Sequence, residues 1–137
     1  MLGTAFSGVR VLDFSQIGAG PLCGMLMGDM GADVIKVEAL SGDLGRRLGP
    51  PWLNGESVIA MSFNRNKRGI AIDLKKPEAL AAVLRMVART DILIESFRPG
   101  VMERLGLGYA ALAAIRPQLV YCSVSAYGQT SPWRDRA

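Results

Sequence analysis

Short apolar runs rich in β-branched residues alternate along this chain with stretches of helical period. Residues 9–14, Val-Arg-Val-Leu-Asp-Phe, predict a first strand. A glycine-rich turn follows, Ser15-Gln-Ile-Gly-Ala-Gly-Pro21, and an apolar helix runs on to about Met30. Gly20, Gly24 and Gly28 recur at every fourth position. Three missing side chains therefore share one helix face, which can lie close against a sheet. Gly31 provides the left-handed residue that ends such a helix. Residues 33–38 read as a second strand, which completes a strand–helix–strand unit of about thirty residues with a right-handed crossover.

Periodicity is lost over residues 39–66, and a connection this long points to function or to a partner contact. Within it, Trp52 and Phe63 read as plugs filling a gap under the loop, with lids over a ligand as the alternative. Residues 69–72 form a short strand. Residues 77–89 follow the amphipathic template: Leu80, Val83, Leu84 and Val87 line one face, Glu78 lies near the start, and Arg85 and Arg89 lie toward the end. A buried strand beginning at Asp91, a short helix to Leu105, another over 109–115 stopped by Arg116-Pro117, and a strand over 119–124 complete the series. This alternation predicts an α/β fold, a parallel sheet flanked by helices.

In open sheets of this kind, ligands bind beyond the carboxyl ends of the strands, where loops and helix N-termini converge. The turn after the Asp91 strand offers Ser96, Phe97 and Arg98: a hydroxyl, a flat stacking surface and a fixed cation. Pro99 suits the first position of a new helix, along which Arg104 brings a second cation. Ser125-Ala-Tyr-Gly-Gln-Thr-Ser-Pro132 is a similar polar turn after the last strand. Gly18, Ala19 and Gly20 admit a ligand close to the backbone, although their Gly-x-Gly-x-x-x-Gly spacing departs from the dinucleotide fingerprint. Close packing explains the later glycines as well as phosphate binding does. Over residues 64–77, Arg65, Lys67, Arg68, Lys75 and Lys76 stand against one local acid, Asp73. A solvated basic face is the ordinary reading. Lys75 differs, because it lies between a strand end and the helix start at Pro77, a place that suits a phosphate.

Composition narrows the function. Sixteen Lys and Arg against twelve Asp and Glu give a formal charge of +4, compatible with anionic ligands. The basic residues are not interleaved with aromatics, which argues against nucleic acid as a partner. No histidine is present, so Ser-His and Cys-His pairs within this chain are excluded and a metal site is not expected. Cys23 and Cys122 read as inert core thiols of a reducing compartment. The N-terminus lacks the pattern of a signal peptide and no run is long enough to span a membrane, so the expected compartment is the cytoplasm. The length of 137 residues is that of about one domain.

Taken in order, the segments Val-Leu-Asp-Phe…Gly-Ala-Gly-Pro, Gly-Ala-Asp-Val-Ile-Lys-Val-Glu, Ser-Gly-Asp, Asn-Lys-Arg-Gly-Ile-Ala-Ile-Asp-Leu-Lys, Ser-Phe-Arg-Pro-Gly and Ser-Ala-Tyr-Gly-Gln resemble the class III CoA-transferases. That family includes carnitine CoA-transferase, formyl-CoA transferase and, as a branch, α-methylacyl-CoA racemase. The resemblance runs from Leu2 to Ala137 and implies a Rossmann-like N-terminal domain that binds coenzyme A. It implies that Gly18 and Ala19 let the CoA chain pass close to the backbone, and that Ile72, Asp73, Leu74 and Lys75 border the adenosine, with Lys75 near phosphate. It further implies that Ser96, Phe97 and Arg98 line the nucleotide and that Arg104 holds another phosphate. Some members carry a basic residue where this chain has Ala39, a gap that Arg46 or Arg47 is expected to fill.

By the same resemblance, the substrates are an acyl-CoA and a carboxylic acid, and the full-length enzyme is an interlocked homodimer. The aspartate nucleophile of the transferases, and the histidine and aspartate of the racemases, fall beyond Ala137. Residues 1–137 are thus expected to be an incomplete CoA-binding domain, without the family's second domain and C-terminal segment, and inactive alone. The racemase branch, a non-catalytic CoA-binding module and a generic NAD-binding domain stand as alternatives. Glu38, at the end of the second strand, keeps the last of these open.

Overall fold

The computed structural model describes residues 4–136. The first three residues of the stretch considered for a leader, and Ala137, lie outside it. Five strands, β1 (Arg10–Asp13), β2 (Asp33–Glu38), β5 (Lys67–Ala71), β6 (Ile92–Glu95) and β7 (Val120–Ser123), form one parallel sheet in the order β5-β2-β1-β6-β7. Leu12 lies beside Ile35 and Leu93, and Ile94 beside Cys122, so the β-branched runs of neighbouring strands stack in register. Successive side chains point to opposite faces. Leu12, Phe14, Val37 and Leu93 enter the larger core, beneath α3 (Pro77–Val87), α4 (Val101–Arg104) and α5 (Tyr109–Ile115). Val11, Val34 and Ile94 enter a smaller one under α1 (Ala19–Asp29). The template residues of α3 separate as expected, with Val83 and Val87 fully buried and Leu80 and Leu84 packed at the margin.

The glycine stripe of α1 packs as its spacing predicts. A Cβ at Gly20 would collide with Ser15, one at Gly24 would lie 2.9 Å from Asp13 Oδ2, and one at Gly28 would lie 3.0 Å from the Asn66 carbonyl oxygen. Gly31, with φ +97°, ends the helix.

Several expectations change. Residues 39–66 hold a 3-10 turn at Leu44–Arg47, a hairpin of β3 (Trp52–Leu53) and β4 (Glu56–Ser57), and α2 (Val58–Phe63). Asn54 and Gly55, both at positive φ, make the two-residue hairpin turn. Trp52 is no plug; it is half exposed and lies over Gly49, while Phe63 is partly buried. The basic stretch is a solvated face at Arg65, Arg68, Lys75 and Lys76, whereas the Lys67 side chain is buried, and the fold brings distant acids to three of the five. Arg65 pairs with Asp29, Lys67 with Asp13 and Arg68 with Asp33. Pro99 sits in a turn before α4 rather than at its first position, and Gly100, with φ +81°, is the cap. Cys23 and Cys122 are free and each only partly buried, and burial raises the Cys23 thiol above its ordinary range.

Candidate functional site

The chain moves outward from β1 through β2 to β5, then returns to lay β6 against the other side of β1. That reversal opens a crevice at the carboxyl ends of β1 and β6, the usual ligand position in open α/β sheets. Two bonds close its base. Phe14 N–H donates to the Ile94 carbonyl at 2.7 Å, and Gln16 N–H donates to Ser96 Oγ at 2.8 Å across 80 residues of sequence.

A cleft of about 470 Å³ lies above this junction. Ile72, Asp73, Leu74 and Lys75 enter it from the end of β5, Ala39 to Ser41 from β2, and Phe97 from β6. Ile72 N–H still donates to the Glu38 carbonyl, and Asp73 Oδ1 then accepts the Lys75 N–H at 3.1 Å, turning the chain into α3. Lys75 is left exposed at the rim, with no carboxylate within ion-pair distance among the described residues.

Phe97 also borders a second cleft, of about 530 Å³, together with Ser96, Arg98, Arg104 and the turn after β7. The expected site residues therefore form two adjoining groups that share one aromatic ring. Gly18 and Ala19 line neither cleft; Gly18 caps α1 and Ala19 opens it. Ser96 Oγ is engaged as an acceptor by Gln16, so its first role is to join the two turns. Arg46 does not replace a cation at position 39. Its guanidinium is bidentate on Glu38, at 2.8 and 2.9 Å, and holds that carboxyl below its ordinary range. Arg47 is exposed.

Beneath the glycine-rich turn lie two buried ion pairs that sequence reasoning missed. Lys67 Nζ, 2.8 Å from Asp13 Oδ2, also donates to the Pro21 carbonyl and to Asn64 Oδ1. Burial lowers the Lys67 ammonium pKa, and the Asp13 carboxylate opposes that shift. Lys36 Nζ lies 2.8 Å from Asp43 Oδ2 as a charge contact and donates to the Ser15 carbonyl. Asp43 Oδ1 accepts from Ile17 N–H at 3.0 Å and Gly45 N–H at 2.7 Å. Burial acts to raise the Asp43 carboxyl, but Lys36 and these two N–H donors outweigh it and hold the group below its ordinary range. A signal was present: Lys36 stands between Val34-Ile35 and Val37 in the middle of β2, where a buried ammonium requires a partner.

Glu95 was missed as well. Buried at the end of β6, it accepts from Phe97 N–H at 2.8 Å and from the Ser123 hydroxyl, and so fixes the turn that carries Ser96 to Arg98. Burial raises its carboxyl above the ordinary range. Among the described residues, no three His, Cys, Asp or Glu side chains cluster as metal ligands, and no helix is long and apolar enough to cross a membrane.

A parallel sheet flanked by helices, with clefts at its switch point, defines an open α/β domain. The sequence model of CoA-transferase family III matches residues 6–137, and the chain belongs to that family. It is 44% identical over 131 residues to succinyl-CoA:glutarate CoA-transferase of Mus musculus, covering 95% of this chain and 30% of that protein. It is 43% identical to the succinyl-CoA–L-malate CoA-transferase beta subunit of Chloroflexus aurantiacus, covering 95% of this chain and 32% of that one. A crystal structure of a CaiB/BaiF family protein from Brucella suis superposes with a TM-score of 0.93 at 41% identity, over 98% of this chain and 37% of that one. The chain thus spans about a third of the length of these relatives.

Proposed function

We propose that this chain is the N-terminal part of an acyl-CoA:carboxylate CoA-transferase and supplies its coenzyme A site. The observation that carries the reading is the cleft at the switch point of a family III sheet, lined by Ile72 to Lys75 and Phe97. Phe97 offers a stacking face to the adenine, Lys75 an ammonium to a phosphate, and Arg98 and Arg104 two further cations in the adjoining cleft. Gly18 and Ala19, at the start of α1, present backbone to the pantetheine arm. In the whole enzyme, an aspartate beyond residue 137 attacks the thioester carbonyl and displaces the CoA thiolate. The thiolate then attacks the resulting anhydride, releases the first carboxylate and leaves a CoA thioester on the aspartate for the second acid to claim. The relatives are named for succinyl-CoA and a dicarboxylate, so the acceptor class is a dicarboxylic acid. The reading includes a cytoplasmic location and a homodimer, and the apolar side chains Leu22, Leu26 and Val120 left exposed on α1 and β7 support the second of these.

Calorimetric titration at low salt with CoA, dephospho-CoA and NAD tests this. CoA is expected to bind, and to bind more weakly once its 3′-phosphate is gone. Equal affinity for NAD, or no binding of any of the three, overturns the assignment of the site to this chain.

A further inference from the structure

Ile17 is a β-branched residue held at φ +69°, in the left-handed region that such side chains rarely occupy. It immediately precedes Gly18 and Ala19. Its N–H is bonded to Asp43 Oδ1, which also accepts from Gly45 N–H, while Asp43 Oδ2 rests on Lys36. Lys36 in turn donates to the carbonyl of Ser15, two residues before Ile17. Both charged groups are buried. Ser41, two residues before Asp43, lines the cleft of about 470 Å³ beside Leu40. One carboxylate therefore links the wall that follows β2 to the turn that follows β1. Conformations of this kind persist where the surroundings over-determine them.

We infer that Asp43, with Lys36 beneath it, is a positioning residue for coenzyme A: it holds Ile17 left-handed and thereby fixes the turn in which the preceding residue, Gln16, lines the cleft. The inference rests on the CoA reading above. Asp43 lines neither cleft among those that hold the proposed site, so it acts through the turn. A free turn would let Ile17 relax to negative φ and shift Gln16 from its place in the cleft wall.

The test uses Lys36→Met/Asp43→Ala, which removes both members of the ion pair and so leaves no orphaned buried charge. The folded variant is expected to bind CoA about tenfold more weakly than the parent chain, a difference of about 1.4 kcal/mol. Exchange of the Ile17 amide hydrogen should become fast. Adding Ile17→Gly, which makes the left-handed conformation accessible without an anchor, is expected to recover most of the lost affinity. Unchanged CoA affinity, or an affinity loss that Ile17→Gly does not restore, overturns the inference. Should the double variant fail to fold, Asp43→Asn keeps the acceptor but not the charge, and the same two readouts apply with smaller changes in the same direction. If the parent chain binds no CoA, the functional reading falls on that ground alone. The Ile17 amide then decides the positioning role by itself, since continued protection in the variant contradicts it.

Discussion

Lys36 and Asp13 share one face of the sheet with Val11 and Val34, yet each ends in a charge met by an opposite charge, Lys36 by Asp43 from the irregular segment and Asp13 by Lys67 from edge strand β5. Glu95 is the contrasting case, because burial dominates there and no cation pairs with it among the described residues. Its carboxyl is therefore raised above the unfolded value, so its contribution to stability is fully present below the unfolded pKa and is lost as pH rises through the folded one. Asp43 and Glu38 run the other way, with folded values that are lowered and a contribution lost as pH falls through them. Glu95→Gln keeps an acceptor for the Phe97 N–H and removes the titration. Urea midpoints of the variant and the parent are expected to agree in acid and to diverge, in the variant's favour, as pH rises past the ordinary glutamate range. Parallel pH profiles would contradict this account of Glu95.

At the scale of elements, the glycines sort by what surrounds them. Gly20→Ala drives a methyl into Ser15 at the base of the crevice and is expected to cost about 1–3 kcal/mol. Gly69→Ala, on edge strand β5 with open space around it, should instead gain about 0.5–1 kcal/mol. Chemical denaturation of the two variants checks both signs. The stripe of α1 and the amphipathic face of α3 were legible because each is a local period that packing then uses. The hairpin at Asn54-Gly55 carried a turn signal, but its strands are two residues each, too short to show alternation. The partners of Arg65, Lys67 and Arg68 were illegible because each acid lies more than thirty residues away and reaches them only through strand register or the packing of α1. The candidate site was legible as two strand-end turns. That it divides into two clefts sharing Phe97 depends on how those turns pack together.

Over the whole molecule, the two faces of the sheet are unequally covered. Three helices lie over the larger core, whereas α1 shelters the other face and leaves Ile92, Cys122 and Val124 only partly buried among the described residues. Leu26 and Val120 are about half exposed, at 47% and 59%. Apolar surface of this extent favours association. Sedimentation velocity across a concentration series is expected to show a reversible increase in mass. A single compact monomer at the highest concentration would contradict it.

The Gln16–Ser96 bond has a kinetic consequence. It joins positions 80 residues apart, and the loop between them contains most of the domain. Contacts of such long sequence separation form late, because loop closure must be offset before they contribute. The crevice is therefore complete only after β6 has docked beside β1, and a ligand that spans it binds the finished sheet and no earlier state. Coenzyme A bound there would retard the undocking of β6, making this one strand the point at which ligand concentration governs how long the native chain survives.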